Sequence, residues 1–400
     1  MEHFFTAKEN LQPQECLLRE IKNNKQLVFG IPKENQSIET RLALTPEAVA
    51  ILVEEGHEVL LETGAGLGMN YTDLRYAEAG ATIVESPEDA FSADIVLKIA
   101  PPTQQEVALM NDRASVFSML QLSLFSRESI QLMIQKKITA IAYELIKDEQ
   151  RNFPVVSSIS EIDGITSISI AAQYMSNENG GKGLLLGGIA GVSSTEVLIL
   201  GAGIAGSVAA RTAMSLGAQV KIFDHDINKL RKLHQQMGQH IFTSVIHPRV
   251  LFKALKSADA VIGTLRYLNG SERFMVSEDL VRTMKKGAII IDLSVDQGGC
   301  FETSECRTLS DPVYERCGVI HYCVPNLSSR VGRTASMALS NIFAPLMLRI
   351  AAAGNVRNAA NEDSGFRNGL YLYNGILVNR LIGSHFNLSS NDIGLLMAGF

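Results

Sequence analysis

Residues 194–226 read STEVLILGAGIAGSVAARTAMSLGAQVKIFDHD. The apolar run at 197–200 has the length and branching of a buried strand. It leads directly into Gly201-Ala202-Gly203-Ile204-Ala205-Gly206, a helix follows to Gly217, and a second strand at 219–223 closes on Asp224. A G-x-G-x-x-G run alone is weak evidence. Set between strand and helix, with an acidic residue ending the next strand, it predicts the dinucleotide-binding unit of a Rossmann domain. Gly201 permits the tight turn, Gly203 lets a pyrophosphate approach the backbone, and Gly206 lets the helix pack on the strand. Ile204 and Ala205 open the helix whose first N–H groups and dipole face the phosphates. Asp224 is expected on the adenosine ribose, where it would repel a 2′-phosphate, so NAD is favoured over NADP. Its alternative role is a helix N-cap. Lys229, the nearest cation downstream, either touches the adenosine end or is a solvated helix lysine.

Outward from this unit the chain keeps alternating strand and helix. Strands are expected at 260–263, 288–293 and 319–324 after it, and at 27–31, 57–62, 81–84, 95–99, 115–120 and 139–142 before it. Thr45 is expected to cap a helix that begins at Pro46 and stops at Gly56. Short glycine-rich links between such elements argue for parallel α/β sheets. A polar, glycine-rich stretch at 177–191 separates the two runs. After Thr334 the chain reads as mainly helical to its end. Residues 1–25 form an extension without an assigned role.

The 400 residues exceed one ordinary core, so two domains are expected. Hydrophobic residues make up 46% and charged residues 20%, which suits a packed globular enzyme rather than a disordered chain. The net charge is −6 and no Lys/Arg block stands out, which argues against nucleic acid or an anionic membrane surface as partner. The N-terminus lacks the apolar region of a secretory signal, and no run reads as a membrane span. The five cysteines, Cys16, Cys300, Cys306, Cys317 and Cys323, form no CxxC and match no zinc spacing, so no metal is expected. The expected compartment is the reducing cytosol.

Further motifs lie in order along the chain. They are Gly30-Ile31-Pro32-Lys33-Glu34, Glu39-Thr40-Arg41-Leu42-Ala43-Leu44-Thr45-Pro46, Glu62-Thr63-Gly64-Ala65-Gly66, Gly180-Gly181-Lys182-Gly183, Asp296-Gln297-Gly298-Gly299 and His321-Tyr322. Together they resemble the alanine dehydrogenase and pyridine nucleotide transhydrogenase family, nearer its alanine dehydrogenase branch, from about residue 26 to the end. The resemblance implies an NAD domain at 156–334 inserted into a discontinuous substrate domain, 26–155 and 335–400. It implies a homo-oligomer, usually a hexamer, acting on an amino acid and its 2-oxo acid. It also implies site residues. Arg41 would grip the substrate carboxylate and Lys98 its keto or carboxylate oxygens. Asp296 would lie beside the nicotinamide, Ser160 would contact the cofactor, and Leu293, Val324, Asn326 and Leu327 would border the nicotinamide ribose.

One segment departs from the family pattern of a tyrosine, a leucine and a catalytic histidine. Here Ser118-Met119-Leu120-Gln121-Leu122 places Met119 at the tyrosine position and Gln121 at the histidine position. Histidine exchanges a proton near neutral pH, and glutamine does not. Gln121 is left a hydrogen-bonding role, and Asp296 becomes the acid–base candidate. Each candidate has a plainer alternative. Arg41 could be a surface arginine paired with Glu34 or Glu39, Lys98 could snorkel to solvent, and Asp296 could be a turn aspartate. His321 is expected to be structural. Three functions stay open at this point: an alanine dehydrogenase with an altered proton path, a related enzyme of another amino or imino acid of the opine or saccharopine type, and an NAD-binding protein that has lost catalysis.

Overall fold

The computed structural model describes residues 26–122, 124–238, 241–265 and 275–398. The extension 1–25, with Cys16, and residue His240 fall outside them. Two mainly parallel sheets organise the chain. The first takes β1 Val28–Ile31, β2 Glu58–Glu62, β3 Thr82–Val84, β4 Ile95–Leu97, β5 Ser115–Ser118 and β6 Thr139–Ala142. The second takes β7 Glu196–Leu200, β8 Gln219–Asp224, β9 Phe242–Val245, β10 Ala260–Gly263, β11 Ile289–Asp292, β12 Val313–Arg316 and β13 Val319–Tyr322. The chain then returns to the first sheet with β14 Leu370–Tyr373 and β15 Ile376–Leu377. The strand orders are β15-β14-β6-β5-β4-β1-β2-β3 and β12-β13-β11-β10-β7-β8-β9. The expected architecture, one α/β domain inserted into another, is therefore what the chain forms.

The strand order locates both ends of the site. In the first sheet the chain runs outward from β1 through β2 to β3, then restarts at β4 on the other side of β1. In the second it runs from β7 to β9 and restarts at β10 beside β7. Loops leaving neighbouring strands in opposite directions open a crevice at their carboxyl ends, and ligands of open α/β sheets bind there. Arg41 follows β1 and Lys98 follows β4, so both stand at the first switch point. Gly201 follows β7 and Thr264 follows β10, so they stand at the second.

Two long helices carry the chain between the sheets. Pro154–Met175 places Val155 in the core of the first domain and Ile168, Ile170, Ala171 and Met175 in that of the second. Gly332–Ala352 returns, filling the first core with Leu339, Phe343, Met347 and Ile350. By length and composition alone, Pro154–Met175 and the stretch Leu327–Ala352 would each suffice to cross a membrane. Their apolar residues are spent on the two cores, and Glu161 and Asp163 sit within the first helix. Its apolar and small polar residues surround it on every side, so no helical stripe is visible in its sequence.

The region after Thr334 is mainly helical, as expected, and adds two strands that were not: β14 joins β6 antiparallel and β15 joins β14. All four residues of β14 are buried, so the alternation that marks a strand is missing there. The edge strand β12 is also antiparallel. Thr45 sits at the N-cap of helix Pro46–Glu54 but its side chain makes no capping bond. Its amide and hydroxyl face the Ser340 hydroxyl on the return helix instead, at 3.0 and 3.3 Å.

Candidate active site

At the nucleotide end the three glycines do separate jobs. Gly201 has φ 112°, which a side chain rarely tolerates, and a Cβ there would strike the Thr264 hydroxyl. A Cβ on Gly206 would overlap the Gly201 carbonyl, while one on Gly203 would meet nothing within 4 Å. The open space lies where a phosphate would come. Helix Ile204–Ser215 begins at Gly203 with no side-chain cap, which leaves its first N–H groups for an anion. These features fit a dinucleotide.

Asp224 is buried at the end of β8. Its carboxylate accepts the Ala202 N–H at 2.7 Å and the Asp226 N–H at 2.8 Å, so it braces the glycine loop. The helix cap is Asp226, which accepts from the Asn228 N–H, and this removes the alternative role considered for Asp224. Lys229 is exposed and lines a groove of about 500 Å³ with Gly203, Ile204, Arg211 and Lys232.

At the other end Arg41 and Lys98 are both buried, at 2% and 3% exposure, so neither is a surface arginine nor a snorkelling lysine. Arg41 holds Glu39 through Nε at 2.7 Å and Nη2 at 2.6 Å, and donates through Nη1 to the Ser328 hydroxyl at 2.9 Å. Burial opposes the guanidinium charge, but Glu39 outweighs it and holds the pKa above the ordinary value. Glu39 takes one edge of the fork, so its outer N–H groups point at Ser328 and at the Met119 sulfur, 3.8 Å away. A carboxylate could be received there, in the bidentate geometry that suits arginine.

Lys98 gives Glu34 and Glu106 bonds of 3.0 and 2.9 Å. Burial opposes its charge, the two carboxylates prevail, and its pKa is raised. Burial also pushes the Glu34 carboxyl up, against the pull of Lys98 and of the Ile99 N–H it accepts at 2.6 Å. Tyr143 packs behind this group, its hydroxyl donating to the Ile99 carbonyl at 3.1 Å.

The two ends meet through one strip. After Val324 the chain turns at Asn326, in the left-handed region at φ 55°, into the 3-10 turn Leu327–Val331. The Asn326 amide lies 3.5 Å from the Gln121 oxygen. Ser329 donates to Glu39 at 2.6 Å and accepts from Thr40 through its carbonyl. Thus the segment expected beside the nicotinamide ribose also supports the arginine expected on the substrate. Asp296 lies in the 3-10 turn Val295–Gln297 just past β11, with Leu293 half-buried before it. That turn is braced by buried Asp292, which accepts from the Ser294 and Cys300 amides and the Ser304 hydroxyl at 3.0, 2.7 and 2.6 Å. Ser160 is buried on the helix Pro154–Met175, one turn before Asp163, whose charge acts on Arg41.

The sequence reading missed the carboxylates and hydroxyls that hold its candidates: Glu106, Asp292, Ser328 and Ser329. Glu34 and Glu39 were considered only as surface partners of Arg41; Glu39 is its partner, but both are buried, and Glu34 pairs with Lys98. A capping pattern, Thr103-x-x-Glu106, was the one available sign of Glu106. His321 is structural as expected. Its ring lies between the Thr303 hydroxyl at 2.8 Å and the Val319 carbonyl at 2.9 Å, and stacks on Tyr314. Among the described residues no group of three or more His, Cys, Asp or Glu is gathered to hold a metal.

A nucleotide-binding loop at one switch point and two buried cations at the other, joined through the strip from Asn326 to Ser329, define a two-domain, dinucleotide-binding α/β protein. The chain belongs to the alanine dehydrogenase/pyridine nucleotide transhydrogenase family. The family's N-terminal domain matches residues 30–163, and the C-terminal domain, which binds NAD(P), matches residues 167–380. An alanine dehydrogenase of Staphylococcus saprophyticus is 36% identical over 369 residues, 92% of this chain and 99% of the relative. One of Bacillus subtilis is 38% identical over 350 residues, 87% of this chain and 92% of the relative. Among solved structures, an L-alanine dehydrogenase matches with a TM-score of 0.83 at 35% identity, covering 90% of this chain and 99% of its own. A transhydrogenase from Sinorhizobium meliloti matches at 0.76 and 26%, covering 88% and 100%.

Proposed function

We propose that this protein is an NAD-dependent dehydrogenase that interconverts L-alanine with pyruvate and ammonium. The observation that carries the reading is the pair of buried cations, Arg41 and Lys98, at the first switch point, with Arg41 tied through Ser328 to the segment that follows β13. Buried carboxylates stabilise both cations, and each keeps N–H groups outside those pairs, those of Arg41 toward Ser328 and Met119. In this proposal Arg41 holds the substrate carboxylate by its outer edge and Lys98 holds the reacting oxygen. Asp296 is the acid–base group, and Gln121, beside Asn326, orients substrate or water. The pyrophosphate rests on Gly201, Gly203, Gly206 and the helix opening at Ile204 and Ala205, and Asp224 with Lys229 attends the adenosine. Ser160, Leu293, Val324, Asn326 and Leu327 surround the nicotinamide end. The bound cofactor supplies the hydride acceptor. Asp224 at the end of β8 supports NAD over NADP. Kinship supports a cytoplasmic homohexamer, which a sizing column would check.

Met119 supports a second reading. Its sulfur stands at the outer edge of Arg41, so a methionine there reshapes the place where the substrate side chain would lie. Another amino or imino acid is then the substrate. The deciding experiment is NADH oxidation with pyruvate and ammonium over a pH range, beside Gln121→His. Turnover in the unsubstituted protein is the expected result. NADH binding without turnover, restored by Gln121→His, would make glutamine the lesion. No turnover in either protein, with pyruvate or other 2-oxo acids, would sink the dehydrogenase reading and leave an NAD-binding protein.

A further inference from the structure

Loss of the family histidine leaves the reaction without an evident way to export its proton. We propose that Lys98 and Glu106 are the proton exit of this site, Lys98 passing the proton freed at the substrate oxygen to Glu106 and so to solvent. This rests on the amino-acid dehydrogenase reading above.

The geometry is a wire with an inner and an outer end. The Lys98 ammonium has three protons, of which Glu34 takes one and Glu106 another, so the third is left for the reacting oxygen. The Glu34 side chain is sealed at 4% exposure, whereas that of Glu106 is 24% exposed. Glu34 also accepts the Ile99 N–H and so anchors the inner end. The other groups facing the wire are Glu39, whose charge acts on Glu34, Tyr143, whose hydroxyl is on the Ile99 carbonyl, and the Phe91 ring, 5.8 Å from the ammonium. None of these opens a second route from Lys98 to water. Lys98 is held as a cation between its carboxylates, so it can accept a proton only while giving one up.

The proton count shows where the wire acts. Asp296 takes one proton from the substrate ammonium; a nicotinamide held by the glycine loop would supply the acceptor for the Cα hydride, so that the substrate becomes an iminium. Water bonds through oxygen to that carbon, and one of its protons passes to nitrogen. The C–N bond breaks as the remaining O–H proton moves to Lys98, which hands one of its own to Glu106. Ammonia recovers the proton held by Asp296 and leaves as ammonium. One 2-oxo acid, one ammonium and one proton result, and Lys98, Glu106 and Asp296 end as they began.

Glu106→Gln is a clean probe. Glu106 also closes the capping box of the helix Gln104–Leu109 by accepting the Thr103 N–H at 2.7 Å, which a glutamine oxygen can still do. The amide cannot carry a proton. We expect kcat of the Glu106→Gln protein to fall about 10²-fold, with KM for pyruvate little changed and the kcat–pH profile altered, and Glu106→Asp to recover most of the rate. A second readout needs no turnover. In the unliganded protein labelled with 15N-lysine, exchange of the Lys98 ammonium protons with water should slow several-fold in Glu106→Gln. Unchanged kcat and exchange would overturn the relay while leaving the dehydrogenase reading intact. A rise in KM alone, with the pH profile and exchange unmoved, would reduce Glu106 to a structural role and also overturn it. Absence of turnover in the unsubstituted protein would overturn both.

Discussion

Replacing Arg41 tests the centre of the substrate site, because its main partner is buried with it. In Arg41→Met the Glu39 carboxylate, 1% exposed, loses two short charge-assisted hydrogen bonds. Breaking a buried ion pair by removing one partner costs about 3–5 kcal/mol, because the other charge stays behind. The structure places this case at the lower end, about 3 kcal/mol, since Glu39 keeps the Ser329 hydroxyl at 2.6 Å and the backbone N–H of residue 41 at 2.9 Å. Adding Glu39→Gln removes the stranded charge, so the double variant should regain about 2 kcal/mol. Stability would be followed by guanidinium unfolding, and function by NADH oxidation with pyruvate. Both variants should lose the grip on pyruvate, whatever their stability. An Arg41→Met protein within about 1 kcal/mol of the parent, or a double variant less stable than the single one, would refute the claim that Glu39 is charged and held by Arg41.

Three further outcomes are expected. Asp224→Ala should weaken NADH binding severely, through the lost ribose acceptor and the freed Ala202 N–H; near-normal affinity in a fluorescence titration would mean the ribose contact is misassigned. Gly206→Ala should abolish NADH binding, because its Cβ has no room against the Gly201 carbonyl; a protein that still binds NADH would show that the loop can relax. Burial pushes the His321 pKa down from its ordinary 6.5 to about 4. The unfolded chain takes up a proton below about 6.5 and the folded chain does not until about 4. Stability that is full above pH 6.5 should therefore decline by about 3 kcal/mol down to pH 4. His321→Gln should flatten that slope, and an unchanged slope would assign it to other groups.

Local periodicity and turn chemistry made much of this protein legible. The 194–226 stretch carried its own strand, turn, helix and acidic residue, all close in sequence, so the nucleotide unit followed from short-range rules. Gly201, Gly203 and Gly206 owe their roles to backbone space, which a glycine announces by itself. Strands β1 to β8 were readable because they are apolar and bounded by turns. The strand β14 was not, since Leu370, Tyr371, Leu372 and Tyr373 are all buried and present no alternation. Nor was the helix Pro154–Met175, whose serines and β-branched residues are weak helix formers and whose surroundings are apolar on two domains.

The class of fold, the cofactor loop and the residue types available for binding a carboxylate follow from local pattern. The partners of those residues come from long-range packing. Arg41 meets Ser328 across 287 positions and Lys98 meets Glu34 across 64, distances at which no local pattern informs. Whether a lysine is idle, paired or wired to solvent depends on which carboxylates the fold brings to it and on how deeply it buries each. Burial and pairing are set by the packing of distant segments, and that is a property of the folded chain alone.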